Sequence, residues 1–261
     1  MIERQLDIAT KDGASTTFIV HPDRGGPHPV VVFLMDAPAI REELRDMARR
    51  FASSGYYVML PNLYYRAGEM ELGPLNPDPE SPWRKKMFDL MNSLGISMVM
   101  SDVKGMLDFA DKDPGANAKS VGTVGYCMSG RFAVCAAGEF PDRVKATASI
   151  YGVKLVTDSD NSPHLVAKRS PAEFYFACAE RDHWRRRKWS TSSSANWPAP
   201  MARWSSIRGR TTASRFRSGP SITRRPPNST GSVCWRCSGG RWARALKSGQ
   251  YGLRPGAACP I

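Results

Sequence analysis

No Asp or Glu occurs after position 184 of this 261-residue chain. The 77 residues from Arg185 to Ile261 carry 16 of the 37 lysines and arginines and none of the 24 acids, so the net charge splits as −3 before the break and +16 after it. A folded domain does not normally change composition so abruptly in the middle of a strand-and-helix pattern. The break therefore limits what can fold. Residues 1–184 have the apolar runs and mixed charge of a core-forming domain, and residues 185–261 do not. The overall charge of +13 would otherwise suggest nucleic acid or anionic lipid as a partner. Because that excess belongs wholly to the tail, it says nothing about the main domain.

Within residues 1–184, apolar and β-branched runs bounded by turn residues predict strands at Thr16–His21, Pro29–Leu34, Tyr56–Leu60, Val121–Tyr126, Val144–Tyr151 and Glu173–Ala179. Helical spacing lies between them. Ile40, Leu44, Met47, Ala48 and Phe51 share one face of a helix over 40–52, Ile96–Ala110 repeats the pattern, and Arg131–Gly138 reads as a short apolar helix. Strands alternating with helices predict a mainly parallel sheet flanked by helices. Cys127, Cys135 and Cys178 are scattered through apolar surroundings, which argues against a disulfide framework. No signal peptide or membrane-spanning run is visible, and the expected location is cytoplasmic. After Trp184 neither period survives. Arg, Ser, Thr, Pro, Gly and Trp alternate without enough aliphatic surface to repay ordering, so 185–261 is expected to be disordered.

The motif that carries chemistry is Gly125-Tyr126-Cys127-Met128-Ser129-Gly130, directly after a predicted strand and before an apolar helix. It has the G-x-C-x-G form of a nucleophile elbow, with Cys in place of Ser. Small flanking residues permit a sharp strand-to-helix turn that projects the side chain from the sheet edge. The helix N-terminus lowers a thiol's pKa, and the Met128 N–H can face a developing oxyanion. A second element is Asp182, just past the last predicted strand. In hydrolases built on such a sheet, the acid follows the nucleophile and the His comes last. Alone, an Asp there is more often a helix cap; together with Cys127 it reads as the acid of a triad.

These segments, with Leu60-Pro61-Asn62-Leu63-Tyr64, Ile150-Tyr151-Gly152 and Tyr175 through Trp184, resemble the dienelactone hydrolase family of α/β-hydrolases over nearly all of residues 1–184. The resemblance implies a Cys–His–Asp triad that hydrolyses lactones and related esters without metal or cofactor. It makes Cys127 the nucleophile and Asp182 the acid. It places the second oxyanion N–H on Ala37, in the turn Met35-Asp36-Ala37, and sets Asp36 near the thiol where many relatives carry Glu. Family members also bind a substrate carboxylate with Arg, for which Arg84 is the candidate. The implied partner is a small lactone or ester. Neither nucleic acid nor membrane is expected, and the sequence does not fix the oligomeric state.

The family's His should follow Asp182 in a His-Gly-Phe turn, yet no His lies beyond His183. His183 adjoins the acid, and neighbouring side chains diverge. His164 precedes the acid, and His21 and His28 flank an early turn. The genetic code explains the loss if one base is missing immediately after the Trp184 codon. Each restored codon then takes the third base of one present codon and the first two of the next. Gly209 through Ser218 then admits Pro-His-His-Gly-Phe-Ala-Phe-Pro-Gln, and Ser229 through Ser238 admits His-Trp-Glu-Arg-Leu-Leu-Ala-Leu-Phe, an amphipathic end helix. The expectation is an α/β-hydrolase domain over 1–184, truncated at its C-terminal end, with a last strand and helix lost and an out-of-frame tail over 185–261. On that reading the basic run Arg185–Lys188, the Cys234-Trp235-Arg236-Cys237 pair and Asn228-Ser229-Thr230 are coincidental. Catalysis is expected to be impaired. The competing expectations are a non-catalytic protein whose tail grips nucleic acid, and an esterase in which His164 rescues Cys127.

Overall fold

The structure is a computed structural model, and it describes residues 1–76, 78–179 and 202–207. These fall within one compact unit, Met1–Gly219; a second unit, Pro220–Ile261, lies outside the described residues. The elements in chain order are strands β1 (Ile2–Thr10), β2 (Gly13–His21) and β3 (His28–Leu34), helix α1 (Glu42–Ser53), strand β4 (Tyr57–Pro61), helices α2 (Pro82–Ser93) and α3 (Ile96–Ala110), strand β5 (Ala116–Tyr126), helix α4 (Gly130–Glu139), strand β6 (Val144–Ile150), the single turn α5 (Pro163–Val166), and strands β7 (Glu173–Ala179) and β8 (Ala202–Ile207).

The eight strands form one sheet in the order β1-β2-β4-β3-β5-β6-β7-β8. β2 runs antiparallel to both β1 and β4, and every other neighbouring pair is parallel. This is the expected mainly parallel α/β-hydrolase sheet. Its central strands are buried on both faces, which is why Val30–Leu34 and Tyr57–Leu60 are unbroken apolar runs. α1 turns Leu44, Ala48, Phe51 and Ala52 inward, and Glu42 and Glu43 in its first turn face the positive end of the helix dipole. α4 is buried nearly all round, from Phe132 to Gly138, and packs on β5 and β6. No helix among the described residues is long and apolar enough to cross a membrane.

The structure adds three elements to the sequence reading: β1, α2 and α5. It also corrects one expectation. Within the tail expected to be disordered, Ala202–Ile207 forms β8, lying parallel on β7 from Phe174 opposite Ala202 to Ala179 opposite Ile207. A ladder draws on backbone N–H and C=O groups, so a segment without strand-like side-chain alternation can still extend an open edge.

Candidate active site

Parallel strands place their C-terminal ends on one edge of the sheet, and β4, β3 and β5 are consecutive neighbours there. Leu34 of β3 lies opposite Gly125 of β5. The turn leaving β3 at Met35–Ala37 and the turn leaving β5 at Cys127 are therefore side by side. The segment leaving β4, Asn62–Tyr64, joins them from the other flank of β3.

Cys127 opens a 3-10 turn over Cys127–Ser129 that leads straight into α4. Its φ is +52°, in the left-handed region that an L-residue with a Cβ occupies only when its surroundings enforce it. Two flanking glycines give the tight elbow its room. A Cβ on Gly125 would run into the carbonyl oxygen of Ser129, and one on Gly130 would run into Ser149 Oγ and the Cα of Gly152. The Cys127 carbonyl accepts a hydrogen bond from Val153 N–H at 3.1 Å, which ties the elbow to the loop after β6. Cys127 as a whole is partly exposed.

The facing turn is braced at three points. Ser129 Oγ donates to the Met35 carbonyl. The hydroxyl of Tyr64 donates to the Ala37 carbonyl at 2.9 Å and lies 3.3 Å from Met128 Sδ. The Arg41 guanidinium grips both Asp36 carboxylate oxygens, at 2.6 and 3.0 Å, and reaches the Ala39 carbonyl at 3.2 Å. Burial pulls the Arg41 pKa down, but hydrogen bonding and charge from Asp36 and Glu43 carry it above its ordinary value. Burial, reinforced by the neighbouring charges of Asp36 and Cys127, pushes the Tyr64 pKa well up, so Tyr64 stays a phenol and a donor. Arg131, in the first turn of α4, donates to the Leu94 carbonyl at 3.1 Å and stacks over Phe132; burial lowers its pKa.

The structure thus brings Cys127, Met128, Ala37 and Asp36 together on one edge. Asp182 and His183 lie outside the described residues. His164 sits on α5 with its Nδ1 2.7 Å from Ser162 Oγ. Arg84 sits on α2 with its guanidinium 5.3 Å from the Phe88 ring centre. His21 and His28 lie at the opposite end of β3, around Tyr57. Tyr64 and Arg41 carry no role in the sequence reading. Their contacts arise from strand order, which no local pattern in the chain reveals.

The profile of the dienelactone hydrolase family matches residues 16–191. A protein of Methylorubrum extorquens named "Putative carboxymethylenebutenolidase" is 28% identical over 159 residues, 61% of this chain and 52% of that protein. A protein of the same name from Salmonella typhimurium is 30% identical over 139 residues, 53% of this chain and 48% of that protein. The chain therefore spans about half the length of these curated relatives. Among solved structures, a "Putative Dienelactone Hydrolase" from Klebsiella pneumoniae superimposes with a TM-score of 0.69 at 21% identity, covering 82% of this chain and 88% of that one. At that identity the likeness speaks for the fold.

Proposed function

The chain belongs to the dienelactone hydrolase family, and from that premise we propose that it is a carboxylic-ester hydrolase fold whose nucleophile, Cys127, attacks lactones and related small esters. The observation that carries this reading is the left-handed φ of Cys127 at the mouth of β5, beside the Met35–Ala37 turn. Strain is retained at a non-glycine residue where a side chain must be presented in one direction. A thiolate at this position adds to the ester carbonyl, and the N–H groups of Met128 and Ala37 face the oxygen that becomes negative. Collapse of that intermediate breaks the C–O bond, releases the alkoxide or phenolate arm and leaves a thioester on Cys127.

The second half of the cycle needs a base to activate water, and here the sequence is deficient. Asp182 serves as the proposed triad acid, but no His follows His183. We assign the deficit to a one-base shift after the Trp184 codon. Strand β8 supports that assignment. In the restored frame the codon across Arg203 and Trp204 ends in TG and reads Leu, Met or Val. The codon across Trp204 and Ser205 begins with G and reads Val or Glu, and the next two admit Val and Tyr. Strand-forming residues thus reappear over the segment that folds as β8.

The chain is accordingly expected to acylate without turning over. With p-nitrophenyl acetate, it should release about one equivalent of p-nitrophenolate and gain one acetyl group, located on Cys127 by peptide mass spectrometry. Loss of a triad member leaves roughly 10³–10⁴-fold catalysis over water, so a slow steady state follows the burst. Sustained turnover at an ordinary enzyme rate, or a burst that survives Cys127→Ala, would overturn the reading.

A further inference from the structure

The peptide that carries the Ala37 N–H runs from Asp36 to Ala37, and the carbonyls on either side of it are both pinned by side chains from other elements. Upstream, Ser129 Oγ of the elbow holds the Met35 carbonyl. Downstream, Tyr64 holds the Ala37 carbonyl at 2.9 Å. The carbonyl of the peptide itself accepts from Ala39 N–H at 3.2 Å, across a turn closed by Ala39 at φ +69°. In a trans peptide the N–H points opposite to the C=O, so the Ala37 N–H is aimed out of that turn. The Tyr64 ring is fully buried, at 1% exposure, and its hydroxyl also meets the side chain of Met128, the residue that offers the other N–H.

We propose that Tyr64 is a positioning residue of the oxyanion site: through its hydroxyl it fixes the turn bearing the Ala37 N–H relative to Met128, so that both N–H groups converge on the substrate oxygen. The proposal rests on the reading of Cys127 as an acyl-accepting nucleophile. Tyr64 touches neither substrate nor leaving group and moves no proton in the reaction. Its own segment is held for this purpose. Asn62 Oδ1 accepts the Tyr64 N–H at 2.9 Å, and the neighbouring Tyr65 and Arg66 both bond Asp102 of α3. Preorganised donors act because they need no rearrangement when charge develops. Tyr64→Phe keeps the ring and releases the turn.

The test compares two reactions of the same thiol in the full chain. Acylation by p-nitrophenyl acetate builds an oxyanion; alkylation by iodoacetamide, a displacement at saturated carbon, does not. Tyr64→Phe is expected to slow acylation of Cys127 by about tenfold or more, short of the 10²–10³ lost when a donor is removed outright, while alkylation stays within a factor of about two. Ser129→Ala, which removes the other pin, should shift the ratio in the same direction, and it decides the matter if Tyr64→Phe does not fold. Equal losses in both reactions, or no loss in either, overturn the role of Tyr64. A parent chain that alkylates at Cys127 but is never acylated there overturns the nucleophile reading instead.

Discussion

At the scale of single residues, the elbow shows how little freedom the nucleophile's neighbours have. Gly125 approaches the backbone of Ser129 so closely that a methyl group there has nowhere to go, because the obstructing atoms are main chain. Gly125→Ala is expected to cost about 1–3 kcal/mol, the range for overpacking, and to abolish the p-nitrophenolate burst; urea unfolding and burst amplitude check the two effects separately. The three described cysteines should also differ in reactivity. Burial pushes the Cys135 thiol up to about 12, so at pH 8 it is protonated and shielded, whereas Cys127 is partly exposed at the end of a strand. Iodoacetamide at pH 8 is expected to modify Cys127 and leave Cys135 intact, as peptide mapping would show. Comparable labelling of the two would contradict the burial of α4. The placing of Cys127 and Met128 at the end of β5 was legible in the chain because both lie in a local motif, whereas Asp36 and Ala37 entered only through the family resemblance. Tyr64 and Arg41 were not legible, because a phenol donating to a carbonyl 27 residues away leaves no periodic trace.

At the scale of elements, the misses have physical causes. β1 alternates Ile2, Arg4, Leu6 and Ile8 on one face, but a cation occupies that row. Arg4 is accommodated only because Asp113, 109 residues further on, accepts its guanidinium at 2.6 Å and Tyr57 adds a hydroxyl at 3.0 Å. α2 begins at Ser81-Pro82 with the Ser81 hydroxyl capping Arg84 N–H, yet buries only Met87 and Leu90, too narrow a stripe to stand out. The turn after β4 is fixed in a similar long-range way. Asp102, 1% exposed on α3, accepts two bonds from Arg66, at 2.9 and 2.7 Å, and one from Tyr65 at 2.9 Å. Asp102→Ala leaves Arg66 with Asp12 as its remaining carboxylate, at 2.7 Å, and is expected to destabilise the fold by about 2 kcal/mol, read as a lower urea midpoint at unchanged slope. At the other end of the sheet, burial and the neighbouring charge of His21 hold His28 below its ordinary pKa of 6.5. A depressed native pKa means that the unfolded chain binds the proton more readily. The stabilisation is therefore complete above about pH 6.5 and is lost as pH falls through the native value. Thermal midpoints should fall as the buffer is taken from pH 7 towards pH 5, and His28→Asn should flatten that slope.

At the scale of the whole molecule, the sheet explains why a shift of one base would remove half of the chemistry and leave the rest. Everything proposed for acylation lies between β3 and α4, upstream of the composition break at Trp184. The base proposed for deacylation belongs downstream, and β8 indicates where. It runs parallel to β5 through β6 and β7, so its C-terminal end, at Ile207, faces the same edge of the sheet as Cys127. In the restored frame the codons from Arg210 to Ser214 admit His-His-Gly-Phe, beginning within a few residues of that end. A His following a strand that ends on this edge would be on the nucleophile's side, as a triad requires. Inserting one base immediately after the Trp184 codon is therefore expected to convert a single-turnover protein into an ester hydrolase, raising the steady-state kcat for p-nitrophenyl acetate by about 10³-fold or more, the usual worth of a triad base. The burst rate should change far less, since the oxyanion turn and Cys127 are already in place. Replacing the His restored across Thr211 and Thr212, and separately the one across Arg210 and Thr211, with Ala should return one of the two proteins to single turnover. If the reframed chain folds, is acylated on Cys127 and still fails to turn over, the missing base is not in that segment and the break has another origin.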